Sequence, residues 1–139
     1  MKKTILSIFV LGLFSVINAT FSACNTEPLV QKCNSKLGDF TFLKMYKVEN
    51  IKAGENVEYS YVFSGNTTYM LSMSDDKAAE TPNLEVNLYD SGRKLVSTNK
   101  LNGKTFPAIM YKCSATGIYY MTYTMDNASC GVSVLGFKK

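Results

Sequence analysis

Apolar and polar positions alternate with a period of two along most of the chain, and that period predicts strands rather than helices. Val57, Tyr59, Tyr61 and Phe63 alternate with Glu58, Ser60 and Val62. After Ser64-Gly65-Asn66, Tyr69, Leu71 and Met73 alternate with Thr68, Met70, Ser72 and Ser74. Turn chemistry between two half-buried runs is the signature of a hairpin. Leu84, Val86 and Leu88 face one way and Glu85, Asn87 and Tyr89 the other, up to a turn at Asp90-Ser91-Gly92 that leads into a short strand over 94–98. Further strands are expected near 40–48, 106–112, 118–125 and 130–137. A total of about eight evenly spaced strands predicts an all-β antiparallel sandwich.

Helix is nearly absent from this pattern. Residues 75–80, with Lys77-Ala78-Ala79, can form one turn before Pro82 stops it. Residues 20–38 show no clear period and are expected to form an irregular N-terminal strap tied down by cysteines. Ahead of the strap, Lys2 and Lys3 precede an apolar stretch over 5–17, broken only by Ser7 and Ser15, and a more polar tail. This is the build of an export signal, too short for the ~20 residues that span a bilayer. Ile17-Asn18-Ala19 suits the cleavage site, with Ala23 as the alternative. The expected organisation is therefore a signal peptide over 1–19, a strap over 20–38 and a β-sandwich domain over 39–139. Phe21-Ser22-Ala23-Cys24 also approximates the box before a lipid-anchored cysteine, which leaves lipoprotein anchoring through Cys24 as a minority alternative.

Export gives the cysteines a meaning. Cys24, Cys33, Cys113 and Cys130 all follow the leader, so two disulfides are expected in an oxidising compartment, periplasmic or extracellular. A strand over 118–125 between Cys113 and Cys130 separates them by roughly 26 Å, whereas bridged Cα atoms lie within ~7 Å. The favoured arrangement has Cys24 and Cys33 each reaching one of the two C-terminal cysteines.

In the C-terminal half, Leu84-Glu85-Val86-Asn87-Leu88-Tyr89-Asp90, a Gly-containing turn, a short strand, and Ala115-Thr116-Gly117-Ile118-Tyr119-Tyr120-Met121 carry a resemblance. Over about residues 55–137 the chain resembles the bacterial pre-peptidase C-terminal domain. The resemblance implies a small secreted β-sandwich of jelly-roll-like topology and a noncatalytic binding or solubilising role.

Composition narrows the chemistry independently. There is no histidine, which removes Ser-His-Asp triads, Cys-His pairs, two-His zinc sites and the usual neutral-pH proton shuttle. Without Lys2 and Lys3, 13 basic residues stand against 11 acidic ones, and a net charge of +2 is no footprint for nucleic acid. No cofactor is expected. Carboxylates remain, namely Asp75, Asp76, Glu80, Glu85 and Asp90; a hydrolase would need two of them ~5–9.5 Å apart. Asp75, Asp76 and Glu80 are also weak calcium candidates, without EF-hand spacing. Met and Tyr at strand period, such as Tyr119, Met121, Tyr123 and Met125, read as core.

Alternation forces Tyr89 and Tyr120 outward, which makes them the candidate ligand-binding residues. Exposed aromatics stack on sugars or anchor proteins. The leading reading is thus a noncatalytic module binding a glycan or an extracellular protein. The alternative is a small exported enzyme inhibitor, which calls for a rigid protruding basic loop, and Asp90-Ser91-Gly92-Arg93-Lys94 is the loop that qualifies. Asn66-Thr67-Thr68 and Asn127-Ala128-Ser129 match the glycosylation acceptor pattern and fall in turns.

Overall fold

The computed structural model describes residues 24–52, 54–77, 81–126 and 130–139. The expected leader, Glu80 and Asn127 lie outside the described residues. Ten strands and one helix make up the rest: α1 (Thr26–Leu37), β1 (Thr41–Glu49), β2 (Val57–Phe63), β3 (Thr67–Asp75), β4 (Leu84–Tyr89), β5 (Leu95–Thr98), β6 (Lys100–Leu101), β7 (Lys104–Thr105), β8 (Ala108–Cys113), β9 (Gly117–Met125) and β10 (Cys130–Lys138). Eight of the strands form two four-stranded antiparallel sheets, β1-β10-β3-β8 and β2-β9-β4-β5, and β6-β7 is a minimal hairpin. With that hairpin set aside, the interleaved strand order is a jelly roll.

The core lies between the sheets and follows the period of two. Tyr119, Met121, Tyr123 and Met125 of β9, Leu84, Val86 and Leu88 of β4, and Tyr69, Leu71 and Met73 of β3 are all buried there. Aromatic rings cross the interlayer space: Phe63 stacks on Tyr69 at 3.9 Å and on Tyr119 at 4.7 Å between centroids. Tyr123 is wholly buried and its hydroxyl donates to Ser133 Oγ at 2.9 Å, which satisfies a polar group that burial would otherwise leave unpaired.

Three expectations are corrected. β2 and β3 do not pair as a hairpin; they belong to opposite sheets. Ser64-Gly65-Asn66 is a corner between layers, with Asn66 N–H donating to Cys113 O at 2.9 Å and Gly65 N–H to Thr116 Oγ1 at 2.9 Å. Phe63 and Tyr69 both point into the core, so arching across it buries both rings, whereas a flat hairpin would stack neither across the layers.

The strap is not irregular, since most of it is α1. Its cues are local: Asn25 at the N-cap, Glu27 in the first turn, Pro28 where a missing N–H costs nothing, and Gly38 at φ +58° to end it. Leu29, Cys33 and Leu37 recur every four residues and are the buried face. They pack on Val132 and Val134 of β10, so β10 is buried on both faces. Contact is close enough that a Cβ on Gly136 would meet Leu37 Cδ2 at 3.0 Å. Ser72 Oγ donates to Cys33 O at 3.1 Å, and Lys36 Nζ to Met73 O at 3.0 Å, which secures the helix over β3.

Of the two expected disulfides, one is formed. Cys24 is bonded to Cys130 and ties the N-terminal segment to β10. Cys33 and Cys113 are free and buried. The reason is the sheet between them: Cys33 belongs to the cluster under α1, while Cys113 belongs to the interlayer core. Burial pushes the Cys33 thiol up from its ordinary value, which keeps it protonated and unreactive. The bridge between Cys113 and Cys130 is excluded as expected, because Cys113 pairs with Thr67 and Gly131 with Asp75, at opposite ends of β3.

Candidate functional site

The outward face of β2-β9-β4-β5 gathers the residues that alternation placed there. Tyr89 lies directly across the ladder from Tyr120, and Ser60 lies on the other side of Tyr120. The two candidate tyrosines are therefore adjacent, both half-buried, in one row of the sheet. Around them Val62, Ile118 and Leu95 are exposed to 57%, 47% and 49%, a higher apolar exposure than a solvated sheet face needs. Val62 and Ile118 face each other across β2 and β9, and Leu95 pairs with Tyr89.

The loop after β4 sits beside this row and is built to hold its shape. Asp90 Oδ1 accepts the N–H of Gly92 at 2.9 Å and of Lys94 at 3.0 Å. Asp90 N–H donates to Lys94 O and Arg93 N–H to Asp90 O, each at 2.9 Å, with Arg93 at φ +63°. Ser91 Oγ donates to Ile118 O at 2.8 Å, and a Cβ on Gly117 would come within 2.3 Å of that hydroxyl. The loop is thus latched to β9, which requires glycine at 117. Its basic side chains remain in solvent at Arg93 and Lys94.

Arg93 does not simply project. Its guanidinium carbon lies 3.7 Å from the Tyr120 ring centroid, and Nη1 donates to Glu58 Oε2 at 2.7 Å. The bond to the Glu58 carboxylate raises the guanidinium further above its usual value, so it is charged at every working pH. A cation over an aromatic face, fixed by a carboxylate, is an ordered patch of the residue types that dominate protein interfaces. The alternation of β9 had placed Tyr120 outward; nothing in the sequence marked the return of Arg93 onto it.

The carboxylates take structural work. Asp75 is buried, and its carboxylate accepts the backbone N–H groups of Lys77 at 3.0 Å, Leu84 at 3.3 Å and Asn83. Those donors occupy the lone pairs that a calcium ion would need. Asp76 donates its N–H to Cys130 O at 3.0 Å. Glu85 pairs with Lys100 Nζ at 3.1 Å, and Asp90 is the loop's own organiser. Asp75 grips the start of β4 and Asp90 follows its end, so they stand roughly 20 Å apart along six residues of strand, against at most ~9.5 Å for a glycosidase pair. Among the described residues no group of three or more His, Cys, Asp or Glu could hold a metal ion.

Two concavities share the edge of the site. One, of about 370 Å³, is lined by Ser60, Tyr61, Val62 and Ile118; the other, of about 310 Å³, opens between the sheets at Leu43, Tyr61, Val62, Tyr69 and Phe137. Both include Tyr61 and Val62 of β2.

Sequence reasoning missed Asn99, which is fully buried. Its Oδ1 accepts Val86 N–H at 2.8 Å, and its Nδ2 donates to Leu84 O at 2.9 Å and Phe106 O at 3.0 Å. Asn99 therefore stitches β4 to the segment that holds the β6-β7 hairpin. A lone asparagine after a strand gives no sequence signal for that role.

No family model and no curated protein matches the chain. Among solved structures, the crystal structure of Aeromonas hydrophila PliG, a periplasmic lysozyme inhibitor of g-type lysozyme, is similar at a TM-score of 0.52 and 12% identity, over 73% of this chain and 90% of that one. At that identity the likeness is one of fold. Among the described residues no helix is long and apolar enough to cross a membrane.

Proposed function

We propose that the protein is a noncatalytic exported inhibitor that binds a lysozyme through the loop 90–94 and the adjoining Tyr89–Tyr120 face. The observation that carries this reading is the loop itself: five residues held by four internal hydrogen bonds and latched to β9, with Arg93 and Lys94 outward. A preorganised loop loses little conformational entropy on binding, which is what a tight inhibitor needs. Glycosidases cut with paired carboxylates, and the exposed Lys94, held beside the Arg93–Glu58 pair, offers such a cleft a fixed positive charge. The likeness of fold to a periplasmic lysozyme inhibitor and the Cys24–Cys130 disulfide support the same reading. It places the protein in the periplasm or outside the cell.

A protein partner is favoured over a glycan by the position of Arg93. A sugar stacks on an open ring face, and the guanidinium covers that of Tyr120. The test is an Arg93→Ala/Lys94→Ala variant assayed for binding to lysozyme by calorimetry. Affinity is expected to fall by at least about 30-fold, as for loss of a hot-spot cluster, with the fold intact by circular dichroism. Unchanged affinity in the folded variant would remove the loop from the interface.

A further inference from the structure

The two sheets have four outer edges, and three of them are blunted. β1 carries a bulge between Phe42 and Lys44 and the charges of Lys44 and Lys47. β5 has four residues and lies against a register shift in β4, and β8 follows Pro107 and ends in Lys112-Cys113. β5 and β8 also touch each other across the side of the sandwich. Such bulges, short lengths, prolines and lysines are how proteins keep edges from pairing with other strands. β2 has none of them. It is seven residues long, in unbroken register with β9 from Val57 to Phe63, with no Lys, Arg or Pro.

The free groups on β2 can be assigned. Ile118 O accepts from Ser91, on the β4 side of β9, and Val86 exchanges hydrogen bonds with Asn99, so Val86 turns away from its ladder partner Tyr123. In an antiparallel ladder each residue turns its N–H and C=O to the same side, alternately. Tyr119, Met121 and Tyr123 therefore bond to Tyr61, Tyr59 and Val57, and the N–H and C=O of Glu58, Ser60 and Val62 face the edge that no other strand among the described residues pairs with. All three residues are exposed.

We infer that this edge pairs with the same edge of a second copy of the chain, antiparallel about Ser60. Ser60 then faces the partner's Ser60, and Glu58 faces the partner's Val62, giving three pairs that each exchange two hydrogen bonds. Charge favours the second copy: the single charge of β2 falls opposite Val62, so no like charges meet, and Glu58 is already neutralised by its own Arg93. The pairing also covers Val62, exposed to 57%, and narrows the concavity it shares with Ile118. The two-fold axis stands perpendicular to the sheet. Both copies therefore present loop 90–94 on one face of a continuous eight-stranded sheet.

Sedimentation velocity on the purified exported protein tests this. A dimer is expected at about 100 μM, within the range of modest interfaces. Ser60→Lys sets two cations face to face, and Ser60→Pro deletes only an edge-facing N–H, so each is expected to raise the dimer dissociation constant at least about tenfold while leaving β2–β9 pairing intact. Circular dichroism and thermal melting show whether each variant is folded. A wild-type protein that stays monomeric at that concentration overturns the inference, as do dimers that survive both substitutions.

Discussion

Removal of the Cys24–Cys130 bond by Cys24→Ala/Cys130→Ala is expected to act in two places at once. The bond closes a loop of 106 residues, and in the chain-entropy model a loop near that length stabilises by ~4.7 kcal/mol through the unfolded state. Locally, the bond ties the chain two residues ahead of α1 to β10. A helix of 12 residues is marginal by itself. What holds α1 otherwise is burial of Cys33 and of Leu29 and Leu37, the leucines each of order 1.5–3 kcal/mol, with the Ser72 and Lys36 hydrogen bonds to Cys33 O and Met73 O, offset by the entropy of ordering the segment. Without its tether, α1 should open before the sheets do. Cys33, fully buried under α1, then becomes accessible, while Cys113, in the interlayer core, stays protected. The assay is denaturant unfolding together with timed thiol alkylation and mass spectrometry. Expected are a stability loss of about 4–5 kcal/mol and alkylation of Cys33 ahead of Cys113. A loss below about 1 kcal/mol, or Cys113 modified first, would refute the reasoning.

Asn99→Leu removes the partners of Val86 N–H, Leu84 O and Phe106 O together; at ~1–3 kcal/mol for each of the two fully buried groups, Val86 N–H and Leu84 O, a loss of roughly 2–6 kcal/mol is expected in chemical denaturation. Alkali should unfold the protein through its buried tyrosines: burial first, then the neighbouring Tyr61, pushes Tyr46 up to about 12, and burial also raises Tyr123. Because the folded state favours the neutral phenol, that stability is full below the unfolded value of about 10 and is lost as pH climbs from there towards about 12. Absorbance at the phenolate band should therefore show late tyrosines ionising together with unfolding, and a smooth titration of all nine with no structural transition would contradict this.

The sheets were legible in the sequence because most of the long strands bury one face, and burial writes a period of two into the residues; β10, buried on both faces under α1, is the exception. Each of the eight principal strands lies where alternation and turn residues put it, and Tyr89 and Tyr120 face outward for the same reason. What alternation does not encode is which strands share a sheet. The corner at Ser64-Gly65-Asn66 has the residues of a hairpin turn, and only packing of Phe63 on Tyr69 distinguishes a corner from a hairpin. α1 was legible but weakly written: its apolar stripe consists of Leu29, Cys33 and Leu37, and counting Cys33 as a disulfide residue hides its part in a helical face. The candidate site was half visible. Its tyrosines and basic loop stand in the sequence, whereas the position of Arg93 over Tyr120 depends on Glu58, thirty-five residues away in the chain.

The central claim is that a rigid basic loop on an exported jelly roll stops a lysozyme. Progress curves of peptidoglycan lysis by g-type lysozyme and by lysozymes of other structural classes, each titrated with the purified protein, test it most directly. The account predicts stoichiometric loss of activity for at least one class, reversed by the Arg93→Ala/Lys94→Ala substitution. Undiminished lysis by every class, with the protein folded and in excess, would contradict it.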